Sequence, residues 1–188
     1  MGEPAHSAQK MTATRYQDVA AESIPKVSDN GTTVRVVADE VWGNEGLFTE
    51  IIAQPLYLDG SLAPGTAFSQ RIRPGHTAIA YVFEGGGSFG ESDEAVESVH
   101  LVMFGDGERL EAHSPTGIRF LLIAGAPFGE PIAPYGPFVM NTLEEIKEAL
   151  NDLRNGTFVQ PAQAQERNQC AGMAAGHTHK RKGATAWS

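Results

Sequence analysis

A single cysteine, Cys170, leaves this chain of 188 residues no partner for an internal disulfide. Core packing and hydrogen bonds must hold the fold, and the thiol suits a reducing compartment. Long apolar runs are also missing: none approaches the ~20 residues that a membrane-crossing helix needs. The first residues, MGEPAHSAQKM, contain no apolar stretch of the kind a secretion signal carries. His6 stands where a myristoylation site needs Ser or Thr. These absences together read as a cytoplasmic protein with no membrane partner. Positive charge is scarce as well, with 14 Lys and Arg against 23 Asp and Glu and a net charge of −9. The imbalance is steeper over residues 1–162, with 10 against 22. So acidic a surface excludes direct binding to a nucleic-acid duplex, which needs a basic patch.

What is present is enough for one core: 41% of the residues are hydrophobic, in a chain the size of one ordinary domain. The β-branched run Thr32–Ala38 reads as a strand, as do 47–53, Pro55–Leu58, 66–72, 77–84, 96–104, 108–113 and 117–124. Turn residues separate them: Asp29-Asn30-Gly31, Asp59-Gly60, Pro64-Gly65, Pro74-Gly75, Gly85–Gly87, Gly105-Asp106-Gly107 and Ser114-Pro115-Thr116-Gly117. Short strands at this spacing predict a β-sandwich or barrel. One helix follows. Thr142 and Glu145 have the spacing of a capping box, and Leu143, Ile146, Leu150 and Leu153 fall on one face. Arg154 suits the negative C-terminal end, and Asn155-Gly156 supplies a left-handed stop. Residues 1–24 read as an extended arm, 25–158 as the folded unit, and 159–188 as a disordered tail rich in Ala, Gln and Gly.

The span from Gly65 to Gly85 carries the glycine frame of a metal-binding barrel motif, G-x5-H-x-H-x4-E-x6-G, but its ligand positions hold Arg71, Arg73 and Ala78. Arginine has no lone pair to offer a metal ion. A second motif, counted from Gly105, would place ligands at Glu111, His113 and Thr116, and none matches. The barrel therefore reads as metal-free, with His76, His100 and His113 the residual candidates. If the strand keeps the barrel register, Arg71 and Arg73 face one interior and would suit a carboxylate or phosphate. The alternative is that they pair with acidic neighbours or point to solvent. Gly85–Gly90 satisfies G-x-G-x-x-G, but an acidic loop follows it where a dinucleotide site needs a helix, so a hairpin loop is the better reading. In the tail, His177 and His179 could chelate weakly beside Lys180-Arg181-Lys182.

Several segments resemble the pirin family. Thr14–Val19 with Ile24-Pro25 is similar to an interdomain linker. Tyr57-Leu58-Asp59, Pro64-Gly65 and Tyr81–Gly85 are similar to the body of the second barrel. Leu122–Gly125, Glu130-Pro131-Ile132, Tyr135–Thr142 and Arg154-Asn155-Gly156 are similar to its closing segment. The resemblance covers about residues 12 to 159. It implies a single cupin barrel (a double-stranded β-helix, or jelly roll) with one C-terminal helix, matching the C-terminal half of a two-barrel protein. Family members are associated with iron-dependent oxygenation of flavonols, as in quercetin 2,3-dioxygenase, and with redox-sensing transcriptional co-regulation. In the family, His-x-His, a further His and a Glu of the N-terminal barrel bind the iron. This sequence has no position matching any of them, so no catalytic residue carries over and no cofactor is expected in this chain. The implied role is a non-catalytic interaction module. Its partner would be a second copy, in a homodimer, or a separate N-terminal cupin barrel, met through a surface expected to be exposed and partly apolar.

Overall fold

The computed structural model describes residues 10, 11, 18–49, 51, 53–92 and 94–159. Cys170, His177, His179 and nearly all of the expected tail lie outside the described residues, as does most of the N-terminal arm.

After a short helical turn at Ala21–Ser23, β1 (Lys26–Asp29) and β2 (Thr32–Ala38) form a hairpin. Its turn residues Asn30 and Gly31 have φ of 44° and 81°, the left-handed pair that a two-residue hairpin turn requires. A smaller hairpin follows, β3 (Glu40–Val41) and β4 (Asn44–Glu45), around Trp42-Gly43 with φ of 50° and 77°. The longer strands are β5 (Leu56–Leu62), β6 (Thr66–Arg71), β7 (Thr77–Phe89), β8 (Val96–Glu97), β9 (His100–Met103), β10 (Arg109–Ser114) and β11 (Ile118–Gly125). They pair in the order β1-β2-β5-β11-β7-β10-β6, with β8 and β9 also on β7. Every named pairing is antiparallel, and strict alternation puts one apolar face inward, as in Val34, Val36, Leu58, Leu62, Phe120 and Leu122.

The sheet curls into a single barrel because β7 serves both of its walls. Its first part lies between β11 and β9, and its last part pairs with β8 and β10. The bend falls in the glycine run. Gly85 has φ of 72°, and a Cβ there would collide with the carbonyl oxygen of Gly117. At Gly87 a Cβ would lie 2.5 Å from the carbonyl oxygen of His113. The run is therefore a strand crossing a corner, rather than the hairpin loop its composition suggested.

Two other expectations are corrected. The described residues between 47 and 53 form no strand: Phe48 bridges Ala38, while Leu47 and Ile51 stay exposed. Asp59-Gly60 lies inside β5, because Gly60 is the residue over which the Phe120 ring fits.

The hairpin β12 (Ala133–Tyr135) and β13 (Phe138–Met140) leads into α1 (Leu143–Asn155). The capping box is formed: the Glu145 amide donates to Thr142 Oγ1 at 3.2 Å, and the Thr142 amide donates to Glu145 Oε2 at 3.1 Å. Gly156, with φ of 72°, ends the helix. The buried face differs from the expected leucine stripe. Ile146 and Ala149 are buried, whereas Leu143 and Leu153 are 64% and 53% exposed. The reason is what the helix packs on. A three-residue hairpin spans ~10 Å and a helix of this length ~20 Å, so the ends overhang. Met140, Ile146 and Ala149, with Phe138, Leu150 and Phe158, form a core separate from the barrel's.

Candidate functional site

In a barrel of this kind a ligand site would lie in the interior, and here aromatic rings fill that space. Phe120 is fully buried, with the Phe89 ring at 5.4 Å and the Phe68 ring at 6.1 Å; Phe104 adds a contact to Phe89 at 5.8 Å. Among the described residues the buried polar side chains are Thr32 and Ser114, and both are committed. Thr32 Oγ1 donates to the Ala67 carbonyl, 3.3 Å. Ser114 Oγ donates to the Gly86 carbonyl at 2.5 Å and accepts from the Gly117 amide at 2.8 Å.

The glycine frame from Gly65 to Gly85 does not predict side-chain direction. Ala78 points inward, but on β6 the inward residue is Phe68, and Ile72 is buried just after the strand. Arg71 and Arg73 have the opposite parity and are exposed. With a side-chain period of two, a one-residue offset turns both outward. Arg71 ends β6 opposite Arg109. Arg73 donates to Asp39 Oδ1 at 2.8 Å and to Gln54 Oε1 at 3.2 Å. Asp39 and Gln54 both hold left-handed backbone, with φ of 70° and 44°. Arg73 thus ties two loops at the rim of a cavity of about 330 Å³ that Glu40, Glu45, Phe48 and Thr49 also line. Composition gave no hint of this cluster, because its partners lie 34 and 19 residues from Arg73.

The candidate histidines do not converge. His113 and Glu111 face outward on β10. His100 is exposed, its Nδ1 within 3.1 Å of the Glu97 carbonyl. His76 sits in the turn before β7, its amide bonded to the Arg73 carbonyl. Among the described residues no group of three or more His, Cys, Asp or Glu could hold a metal ion.

A second charged cluster lies on the outer face of the sheet. Asp59 Oδ2 accepts from Arg35 at 3.0 Å and from Arg119 at 3.4 Å. Arg119 also reaches Glu84 Oε2 at 3.4 Å and stacks over Phe83, 4.7 Å from its centroid. Arg35, Asp59 and Arg119, with Lys26, Thr33 and Ser61, line a depression of about 270 Å³. Three cations thus gather around one carboxylate on an otherwise acidic protein.

The aromatic-filled jelly roll, followed by a capped helix on its own hairpin, matches a known family model. The model of the Pirin C-terminal cupin domain covers residues 57–159. The chain belongs to the pirin family. It is 39% identical over 167 residues to Pirin of Homo sapiens, covering 81% of this chain and 57% of that protein. It is 40% identical over 159 residues to a pirin-like protein of Arabidopsis thaliana, covering 79% and 50%. Among solved structures, Quercetin 2,3-dioxygenase from Acinetobacter baumannii superposes with a TM-score of 0.73 at 33% identity, over 81% of this chain and 53% of that one. The chain spans about half the length of the curated relatives it matches. An iron ion, which the family implies, does not fit this pirin-type barrel: the inward residues are hydrocarbon, and the two buried hydroxyls are already bonded. No helix among the described residues is long and apolar enough to cross a membrane.

Proposed function

We propose that this pirin-type barrel is a metal-free, non-catalytic module for interaction or assembly. The observation that carries this reading is the filled interior, where Phe68, Phe89 and Phe120 occupy the volume in which a cupin would hold metal and substrate. A dry aromatic core offers no lone pair to a first-row metal, whose affinity rests on imidazole, carboxylate or thiolate ligands. Exposed Leu101, Met103 and Tyr81 support an assembly role, because apolar surface of this kind invites a partner. The partner would be a second copy or a separate barrel. The test is iron analysis of the purified chain together with quercetin turnover followed by absorbance. Neither stoichiometric iron nor turnover is expected; both together would overturn the proposal.

The likeness to Quercetin 2,3-dioxygenase favours a second reading, in which flavonol oxygenation arises only when a separate metal-binding barrel joins this one. Turnover that requires both proteins, and that the partner barrel does not show alone, would establish it.

A further inference from the structure

We propose that the depression on the outer face of β1, β2, β5 and β11 binds a phosphate group, either the free ion or a small organic monoester. This site is separate from the barrel interior and does not depend on the metal-free reading.

The strand registers build it. Lys26 stands opposite Arg35, and Arg35 opposite Asp59. Thr33 stands opposite Ser61, and Ser61 opposite Arg119. Residues two apart along a strand share a face, so a row of charges lies beside a row of hydroxyls that ends in a guanidinium. The core does not call for these residues, since Val34, Val36, Leu58, Leu62 and Phe120 hold the inward parity. Setting Lys26 directly against Arg35 even costs the sheet stability, because like charges opposite each other repel.

The lining has more donors than acceptors. Asp59 Oδ2 accepts from Arg35 Nη1 at 3.0 Å and from Arg119 Nη2 at 3.4 Å. A guanidinium carries five N–H groups, and among the described residues Arg35 commits only Nη1. Lys26 Nζ and Ser61 Oγ have no side-chain partner among the described residues. Three cations against one carboxylate leave the lining a surplus of two positive charges. A phosphate monoester brings about −1.5 to −2 charge at neutral pH and three acceptor oxygens, so it matches both the charge and the unused donors.

The cations are also held in place. Asp59 draws both guanidiniums toward one oxygen, with its side chain only 20% exposed. Arg119 further stacks on Phe83, the β7 residue left over where the register shifts between Arg119 and Phe120. Groups fixed before binding lose less freedom on binding. The competing carboxylate is Glu84, which reaches Arg119 at 3.4 Å but is 68% exposed. An exposed pair of that kind is weak, and a dianion displaces it.

The experiment is isothermal titration calorimetry of the full chain at low salt, with inorganic phosphate and with phenyl phosphate. One saturable site is expected, because the rest of the protein is acidic and repels anions. Lys26→Met should weaken binding about tenfold, the loss of one charge-assisted hydrogen bond. It should leave the fold intact, since Lys26 is exposed. Lys26→Arg should retain binding. Arg109→Met, which removes an exposed cation on β10, should change nothing. The row continues from Asp59 to Leu121 and the exposed Tyr81. Tighter binding of phenyl phosphate supports a monoester as the ligand, and equal affinity supports the free ion. No saturable binding at millimolar phosphate would overturn the proposal. Equal weakening by Lys26→Met and Arg109→Met would overturn it too, by showing diffuse attraction. Neither result bears on iron content or turnover.

Discussion

At the scale of single residues, glycines decide where rings and carbonyls can go. Gly60 faces Phe120 across the β5–β11 pair, and a Cβ there would lie 2.9 Å from Cζ and 3.2 Å from both Cε atoms. The ring cannot retreat, because Phe68 and Phe89 hold its other sides. Gly60→Ala should therefore cost about 1–3 kcal/mol, the usual effect of overpacking a filled core. Urea unfolding would show this as a lower midpoint at unchanged slope; an unchanged midpoint would mean that the core has slack. Arg73 teaches a different lesson. Its side chain was legible as a cation near a barrel frame, but its partners Asp39 and Gln54 were not, since they come from distant loops in left-handed conformations that composition does not signal.

At the scale of elements, legibility follows the strength of local signals. Thr32–Ala38 was readable because β-branched residues alternate in burial along it, and α1 because cap, charges and stop agree within one segment. The glycine run of β7 was misread because a corner and a loop share the same residues, and only the Gly117 and His113 carbonyls on the facing chain distinguish them. The β12–β13 hairpin was missed because Pro134, Gly136 and Pro137 resemble loop composition. The barrel itself was legible; the direction of Arg71 was not, because spacing does not fix parity. The separate core beneath α1 leads to a prediction. Thr142→Ala removes one half of the capping box, worth about 1 kcal/mol. Amide exchange in α1 should accelerate about fivefold, while amides of β5 and β11 keep their rates. Equal acceleration in both would show that the two cores open together.

At the scale of the whole molecule, the chain is a curled antiparallel sheet of pirin type with a filled interior and an ion-pair cluster on one outer wall. The interior and the wall divide the work: the first is shut by Phe120 and its neighbours, and the second is open, basic at one edge and apolar toward the other.

The crossing strand β7 also sets a timetable for folding. Its partners run from β9, shortly after it, to β11, which ends at Gly125, and β5 waits for β11 as well. Leu58 and Val36 therefore have no complete shelter until β11 has been made. Non-local pairing of this kind slows closure, so refolding from urea should take milliseconds to seconds rather than microseconds. Stopped-flow tryptophan fluorescence would measure it, because Trp42 packs edge-on against Phe68 at 5.9 Å and reports when the barrel wall arrives. Strand β11, which joins β5 to the crossing strand, is thus the last latch, and during synthesis the half-built sheet is the form most exposed to aggregation.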